Sequence, residues 1–139
     1  MAETLTGADL VGTLRLPARV HVGFGTRRLI PELLALHGTR VFVVADPFLV
    51  GTPAFEQLHD TLRTAGFQVA VHTDIVPELP VASLVASAAE AAAFGAESIL
   101  AIGGGSALDA AKITALLVTH GAPLDRFYGE NLVPGPVLP

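Results

Sequence analysis

Cysteine is absent from this 139-residue sequence, and charged residues make up only 15% of it. The lack of cysteine excludes disulfides, zinc–thiolate sites and a thiol nucleophile. Basic residues are also few: 8 Lys and Arg against 13 Asp and Glu give a formal net charge of −5. This balance disfavours binding to nucleic-acid phosphates or to anionic membranes. With 51% hydrophobic residues, the chain suits one domain that buries a sizeable core.

Long apolar runs are missing as well. The first ten residues, MAETLTGADL, have neither the basic start nor the apolar core of a secretory signal. No uninterrupted apolar run is long enough for a membrane span, and Glu90 breaks the longest alanine-rich stretch. We therefore expect a cytoplasmic protein without nucleic-acid or membrane partners.

The histidines do not form a recognisable site. No two of them have the spacing of metal ligands on one helix face, and no serine–histidine–acid arrangement is present. We therefore predict no metal ligand and no catalytic residue within this chain. The residues concerned are His21, His37, His59, His72 and His120.

Short apolar runs alternate with helical patterns along the chain. This order predicts an α/β fold with an open, mostly parallel sheet and helices on both faces. Residues 12–25 could add an antiparallel hairpin before it. The predicted strands are 18–24, 39–46, 67–73 and 98–103, and the predicted helices are 29–37, 52–65, 81–94 and 106–120.

The fourth strand runs into three consecutive glycines, Gly103, Gly104 and Gly105, followed by Ser106 and a helical pattern. A helix N-terminus offers free N–H groups and the positive end of a dipole, so glycines there would let a diphosphate approach the main chain. The alternative is a tight turn in which Ser106 is the N-cap and Asp109 completes a capping box. Lys112 would then only pair with Asp109 on the surface.

Asp46 ends the second predicted strand. An acidic side chain there can accept both ribose hydroxyls of an adenosine, and its charge would repel a 2′-phosphate, which favours NAD over NADP. The alternative is a turn residue before Pro47. The segment GFGTRR (23–28) also follows a predicted strand, but Arg28 replaces the third glycine of a dinucleotide fingerprint, so a structural turn is the better interpretation.

The segment GGGSALDAAK resembles the glycine, serine, aspartate and lysine motif of the iron-containing (group III) alcohol dehydrogenases. The resemblance continues in PARVHVGFGTRRLIPELL, RVFVVADPFL and VPGPVLP. It implies a Rossmann-like nucleotide-binding domain over 1–132, with an added N-terminal hairpin, and a connector that starts at 133–139. A helical domain that holds iron or zinc would follow in the complete enzyme, and we expect this chain to be the first part of something longer.

By residue, the resemblance implies that Gly103–Ser106 contact the cofactor diphosphate and that Asp46 lies near the adenosine ribose. It places Asp109 and Lys112 on the nicotinamide side. The reaction implied for the complete enzyme is hydride transfer between an alcohol or aldehyde and NAD, in a homodimer. Glycerol dehydrogenases, maleylacetate reductases and dehydroquinate synthases resemble this domain too, and a stand-alone nucleotide-binding module without catalysis is a further alternative.

Overall fold

Four α-helices and three β-strands alternate along the chain. The computed structural model describes residues 17–129 and 131–139. Two short 3-10 helices, Thr26–Leu29 and Leu124–Phe127, lie near the ends of this part. The main elements are α1 (Ile30–Leu34), β1 (Arg40–Ala45), α2 (Pro53–Thr64), β2 (Gln68–His72), α3 (Val81–Phe94), β3 (Ser98–Ile102) and α4 (Gly105–His120).

The three strands form one parallel sheet in the order β2-β1-β3. In this sheet Val43 of β1 lies opposite Val71 of β2 and Leu100 of β3. The central strand β1 is buried from Val41 to Ala45, as its continuous run of apolar residues predicts. The first crossover therefore leads to one side of β1 and the second crossover leads to the other side.

Helices cover both faces of the sheet, which confirms the predicted layer arrangement. On one face Phe42 and Val44 of β1 pack against α3 and α4. On the opposite face the other β1 side chains pack against α1 and α2, through residues such as Leu34, Phe55 and Leu62. The core thus consists of two apolar layers, one on each side of the central strand.

Two helix ends have standard caps. Thr52 is the N-cap of α2, and its hydroxyl accepts the backbone N–H of Phe55 at 3.3 Å. Gly95 ends α3 in the left-handed conformation. The predicted helix 29–37 is shorter than expected, because a 3-10 helix occupies Thr26–Leu29 and α1 covers only Ile30–Leu34.

The predicted strand at 18–24 is not found. Residues 17–25 contain no strand, and the side chains of Val20, Val22 and Phe24 are exposed. The alternation of apolar residues here fits a strand, but a strand also needs a neighbour that pairs with its backbone. Residues 12–16, the first half of the predicted hairpin, lie outside the described residues.

The last residues return to the domain. The Leu138 N–H donates to Thr119 Oγ1 at 2.8 Å, and the Ile99 N–H of β3 donates to the Pro139 carbonyl at 2.7 Å. The predicted connector at 133–139 therefore lies against α4 and the free edge of β3. No helix among the described residues is long and apolar enough to cross a membrane.

Candidate functional site

The direction of the strand order reverses at β1, and this determines where a ligand can bind. At the carboxyl ends of β1 and β3, the chain leaves in different directions, which opens a crevice between the two strands. The Asp46 N–H donates to the Ile102 carbonyl at 2.9 Å and closes the ladder at this end. The sheet therefore brings Asp46 next to the glycine turn, although more than fifty residues separate them in sequence.

A cavity of about 210 Å³ opens at this place. It is smaller than a typical cofactor pocket of roughly 300–1,000 Å³ and would hold part of a dinucleotide. Three segments line it: the turn after β1, the loop after β2 and the start of α4. The residues are Asp46, Pro47, Phe48, Ile75, Pro77, Gly104, Gly105, Ser106 and Ala107.

Gly103 has a structural reason to be glycine. Its φ of +154° is unfavourable for other residues. A Cβ there would lie 2.8 Å from the Ala107 Cβ and 2.9 Å from the Asp46 Cβ. Gly103 therefore allows α4 to pack closely on the end of β1, and any contact between Gly103 and a ligand would be through its main chain.

Packing among the described residues does not require glycine at Gly104 or Gly105. A Cβ on either residue would have no heavy atom within 4 Å among the described residues. Gly104 is the N-cap of α4, with an unstrained φ of −84°. Open space above the first turn of a 16-residue helix leaves room for an anion close to its N–H groups.

Ser106 is not the N-cap. The helix begins at Gly105, one residue earlier than predicted, so Ser106 lies inside the first turn. The capping box of Ser106 and Asp109 is therefore not formed, because Ser106 has helical geometry and cannot act as the cap. Its side chain lines the cavity instead.

The half-buried Asp46 holds the turn that follows β1. Its Oδ1 accepts the Phe48 N–H at 3.0 Å, and its carbonyl accepts the Leu49 N–H at 2.9 Å. The carboxylate thus performs the turn role that the Asp-Pro sequence suggests. Within the described part of the chain, Oδ2 has no hydrogen-bond partner, so this oxygen can accept one from a ligand.

Asp109 and Lys112 do not join this group. Lys112 Nζ donates to Asp109 Oδ1 at 3.0 Å, and both side chains are more than half exposed on α4. Neither residue lines the cavity at Asp46. The structure thus brings together Asp46, Gly104, Gly105 and Ser106, with Gly103 beneath them.

Phe48, Ile75 and Pro77 were missed in the sequence, although they line the same cavity. The available signal was their position after the carboxyl ends of β1 and β2. A search of those two loops, rather than of glycines and charges alone, would have included them.

The second glycine turn is separate from this site. Gly25 adopts the left-handed conformation before the 3-10 helix, and Arg27 Nη2 donates to Gln57 Oε1 at 2.7 Å. A different cavity of about 310 Å³ lies between this turn and α2. The interpretation of GFGTRR as a structural turn agrees with this geometry.

No group of three or more His, Cys, Asp or Glu that could hold a metal ion exists among residues 17–129 and 131–139.

A parallel sheet with helices on both faces and a crevice at the reversal of strand order defines a Rossmann-like α/β domain. The family model of the iron-containing alcohol dehydrogenases matches residues 17–139, and the chain belongs to that family.

Individual relatives agree with this family assignment. The chain is 36% identical over 108 residues to a sulfoacetaldehyde reductase of Bilophila wadsworthia, covering 78% of this chain and 28% of that protein. It is 37% identical over 111 residues to long-chain-alcohol dehydrogenase 1 of Geobacillus thermodenitrificans, covering 79% and 28% respectively. The chain thus spans less than a third of the length of these proteins.

The fold also matches a solved structure, that of sulfoacetaldehyde reductase from Bifidobacterium kashiwanohense in complex with NAD⁺. The TM-score is 0.71 at 22% identity, and the match covers 88% of this chain and 32% of that one.

Proposed function

We propose that this domain binds NAD(H) in the crevice between β1 and β3, as the cofactor-binding part of an alcohol or aldehyde oxidoreductase. The observation that carries the proposal is the meeting of Asp46 with Gly104, Gly105 and Ser106 at the reversal of strand order. Membership of the iron-containing alcohol dehydrogenases and the NAD⁺ complex of a structural neighbour support it.

The diphosphate is proposed to lie at the start of α4. Gly104 and Gly105 leave the space for it, the N–H groups of the first turn would donate to its oxygens, and Ser106 would add a hydroxyl donor. Gly103 would contribute its main chain and the close packing beneath. When bound, NAD⁺ accepts a hydride, and the residues here bind and orient it.

Asp46 is proposed to select NAD over NADP. Its Oδ2 would accept a hydrogen bond from the adenosine ribose, while Oδ1 stays with the Phe48 N–H. A 2′-phosphate at the same place would meet the negative charge of the carboxylate.

Asp109 and Lys112 are proposed to lie toward the nicotinamide. They are one and two turns further along α4 than the proposed diphosphate position, and Lys112 borders other cavities formed with residues 131–139. Their ion pair would present a donor and an acceptor to the cofactor or to substrate groups nearby.

We also predict that the complete protein acts on an alcohol or aldehyde, forms a homodimer and is cytoplasmic, and that a domain boundary lies between residues 132 and 133. We further predict a divalent metal, iron or zinc, in the complete enzyme, with ligands outside the residues described here. The relatives' names cover sulfoacetaldehyde, long-chain alcohols and 1-propanol, so the substrate class is proposed only as alcohol or aldehyde.

The variant Asp46→Asn tests the proposal with little change in shape. Asparagine keeps an oxygen for the Phe48 N–H but removes the charge. We expect NADH to bind roughly 10- to 150-fold more weakly, because a hydrogen bond to a charged group contributes about 1.5–3 kcal/mol, and we expect NADPH to bind more tightly than to the unchanged protein. Calorimetric titration of both cofactors measures these changes.

Asp60→Asn is the matched control, since it removes the same charge from the exposed side of α2. It should leave both affinities unchanged. Tighter binding of NADPH than NADH by the unchanged protein would overturn the role of Asp46, and no binding of either would overturn the proposed function.

A further inference from the structure

Phe48 is an exposed aromatic residue at the rim of the proposed cofactor cavity. Its side chain is 89% exposed, although it belongs to the turn that directly follows the buried central strand. It lines the cavity together with Asp46 and the first turn of α4. What sets Phe48 apart from the other exposed apolar residues is this position, which leaves a phenyl ring free to contact a ligand in the cavity.

The turn that carries Phe48 is held at both ends. The Phe48 N–H donates to Asp46 Oδ1, and the Thr52 N–H and hydroxyl both donate to the Leu49 carbonyl, at 3.1 and 2.6 Å. The Phe48 main chain is therefore fixed relative to the Asp46 carboxylate. A ligand that contacts this carboxylate therefore lies next to Phe48.

Part of the cavity wall is aliphatic. Ile75 and Pro77, from the loop after β2, form it. Ile75 also packs against the core cluster of α3 and α4, which anchors this wall. A flat ring bound in this cavity would therefore find both an aromatic side chain and aliphatic groups in its lining.

Among the described side chains that line the cavity, only those of Asp46 and Ser106 carry hydrogen-bonding groups. The proposed function assigns both, to the ribose and to the diphosphate. No side chain is then left to hydrogen-bond the edge of a base, so the lining side chains would recognise a base through contact with its faces.

We infer that Phe48 binds the adenine ring of the dinucleotide by stacking and that this subsite does not distinguish adenine from other purines. The inference rests on the proposed function. The base is attached to the ribose carbon next to the one that bears the 2′-hydroxyl, so a ribose held by Asp46 brings its base to the adjacent residues. Of these, Phe48 offers the face on which a base can stack.

The test compares Phe48→Ala with the unchanged protein by calorimetric titration of NADH and of reduced nicotinamide mononucleotide, which lacks the adenosine part. Alanine at this position should weaken NADH binding roughly 5- to 150-fold, the usual effect of losing one base–aromatic stack. Binding of the mononucleotide should not change. Phe48→Tyr should retain most of the NADH affinity, since its ring still stacks.

Phe24→Ala is the matched control, because Phe24 is also fully exposed but does not line this cavity. It should bind NADH like the unchanged protein. Thermal unfolding followed by circular dichroism checks that both alanine variants are folded, which the exposure of both side chains leads us to expect.

A second titration tests the lack of base selectivity. Reduced nicotinamide hypoxanthine dinucleotide replaces the amino group of adenine by oxygen but keeps the ring system. The unchanged protein should bind it about as tightly as NADH, and Phe48→Ala should weaken both ligands by a similar factor.

Unchanged NADH affinity in folded Phe48→Ala would overturn the inference and leave the proposed function intact. An equal loss of mononucleotide binding would also overturn it, because the turn at Asp46 would then be disturbed as a whole. A large preference for NADH over the hypoxanthine dinucleotide would overturn the stated lack of selectivity. If the unchanged protein does not bind NADH, the proposed function fails and this inference fails with it.

Discussion

Gly103 and Gly104 are neighbours in sequence, yet they are glycine for different reasons. Gly103 lacks a side chain because α4 and the end of β1 leave no space for one. At Gly104 the described residues impose no such limit, and positive φ is not the reason either, since φ is −84°. Substitutions at these two positions therefore separate folding from binding.

We predict that Gly104→Val folds but no longer binds NADH. The valine side chain would fill the space proposed for the diphosphate. It should lower the free energy of unfolding by only about 1 kcal/mol, which is typical of N-cap changes. Calorimetry and urea unfolding measure the two effects. Unchanged NADH affinity in a folded Gly104→Val would show that the open space has no part in binding.

Gly103→Ala should instead lower the stability of the fold. Its Cβ would overlap with Ala107 and Asp46, so we expect a loss of roughly 1–3 kcal/mol in the free energy of unfolding, as is typical of overpacking. The urea midpoint measures this loss. A variant as stable as the unchanged protein would contradict the packing role of Gly103.

At the scale of the elements, α3 and α4 share one buried polar contact. Ser87 Oγ and Thr114 Oγ1 are 2.8 Å apart, and both residues are fully buried. Thr114→Val keeps the shape but leaves the serine hydroxyl without a partner, at a cost of about 1–3 kcal/mol. Adding Ser87→Ala should recover much of this loss. A double-mutant cycle by urea unfolding tests it, and additive losses would contradict the coupling.

Glu97 joins β1 and β3 at the end of the sheet that lies away from the proposed site. Its Oε2 accepts the Arg40 and Thr39 N–H groups at 3.0 and 2.7 Å, and these bonds lower the pKa of Glu97 below its ordinary value of 4.5. The Arg40 guanidinium adds a salt bridge at 3.0 Å. The charged form of Glu97 is therefore favoured by folding.

The pKa of Glu97 is lower in the folded than in the unfolded chain, so its stabilisation is complete above 4.5 and disappears as the pH falls through the folded value. We predict that Glu97→Gln is less stable than the unchanged protein at pH 7 and that this difference narrows below pH 4.5. Urea unfolding at a series of pH values measures it. A difference that does not vary with pH would contradict the role of the charge.

The elements that the sequence predicted best are those whose local signals agree with their tertiary contacts. The β-branched run of β1 and the helical patterns of α2 and α3 defined boundaries to within about two residues. The strand at 18–24 was wrong because alternation alone does not supply a pairing partner. Phe48 was missed because cavity walls formed by two loops depend on how separate parts of the chain come together.

At the scale of the molecule, the chain is predicted to have no alcohol dehydrogenase turnover by itself. It spans less than a third of the length of the relatives described above, and its described residues contain no group of three or more His, Cys, Asp or Glu that could hold a metal ion. The assay combines the purified 14.3 kDa chain, NAD, a panel of alcohols and added ferrous or zinc ions. Metal-dependent NADH formation by this chain would contradict the prediction.

The position of β1 has a consequence for synthesis. It is the first of the three strands to leave the ribosome, yet it is the central strand of the sheet. A nascent chain therefore exposes both edges of its most apolar strand until β2 and then β3 emerge. Asp46 is translated early, but the glycines and the serine that line the same cavity arrive only with the start of α4. Most of the polypeptide is therefore synthesised before both edges of β1 are paired. A chaperone that binds extended apolar segments would act at this stage.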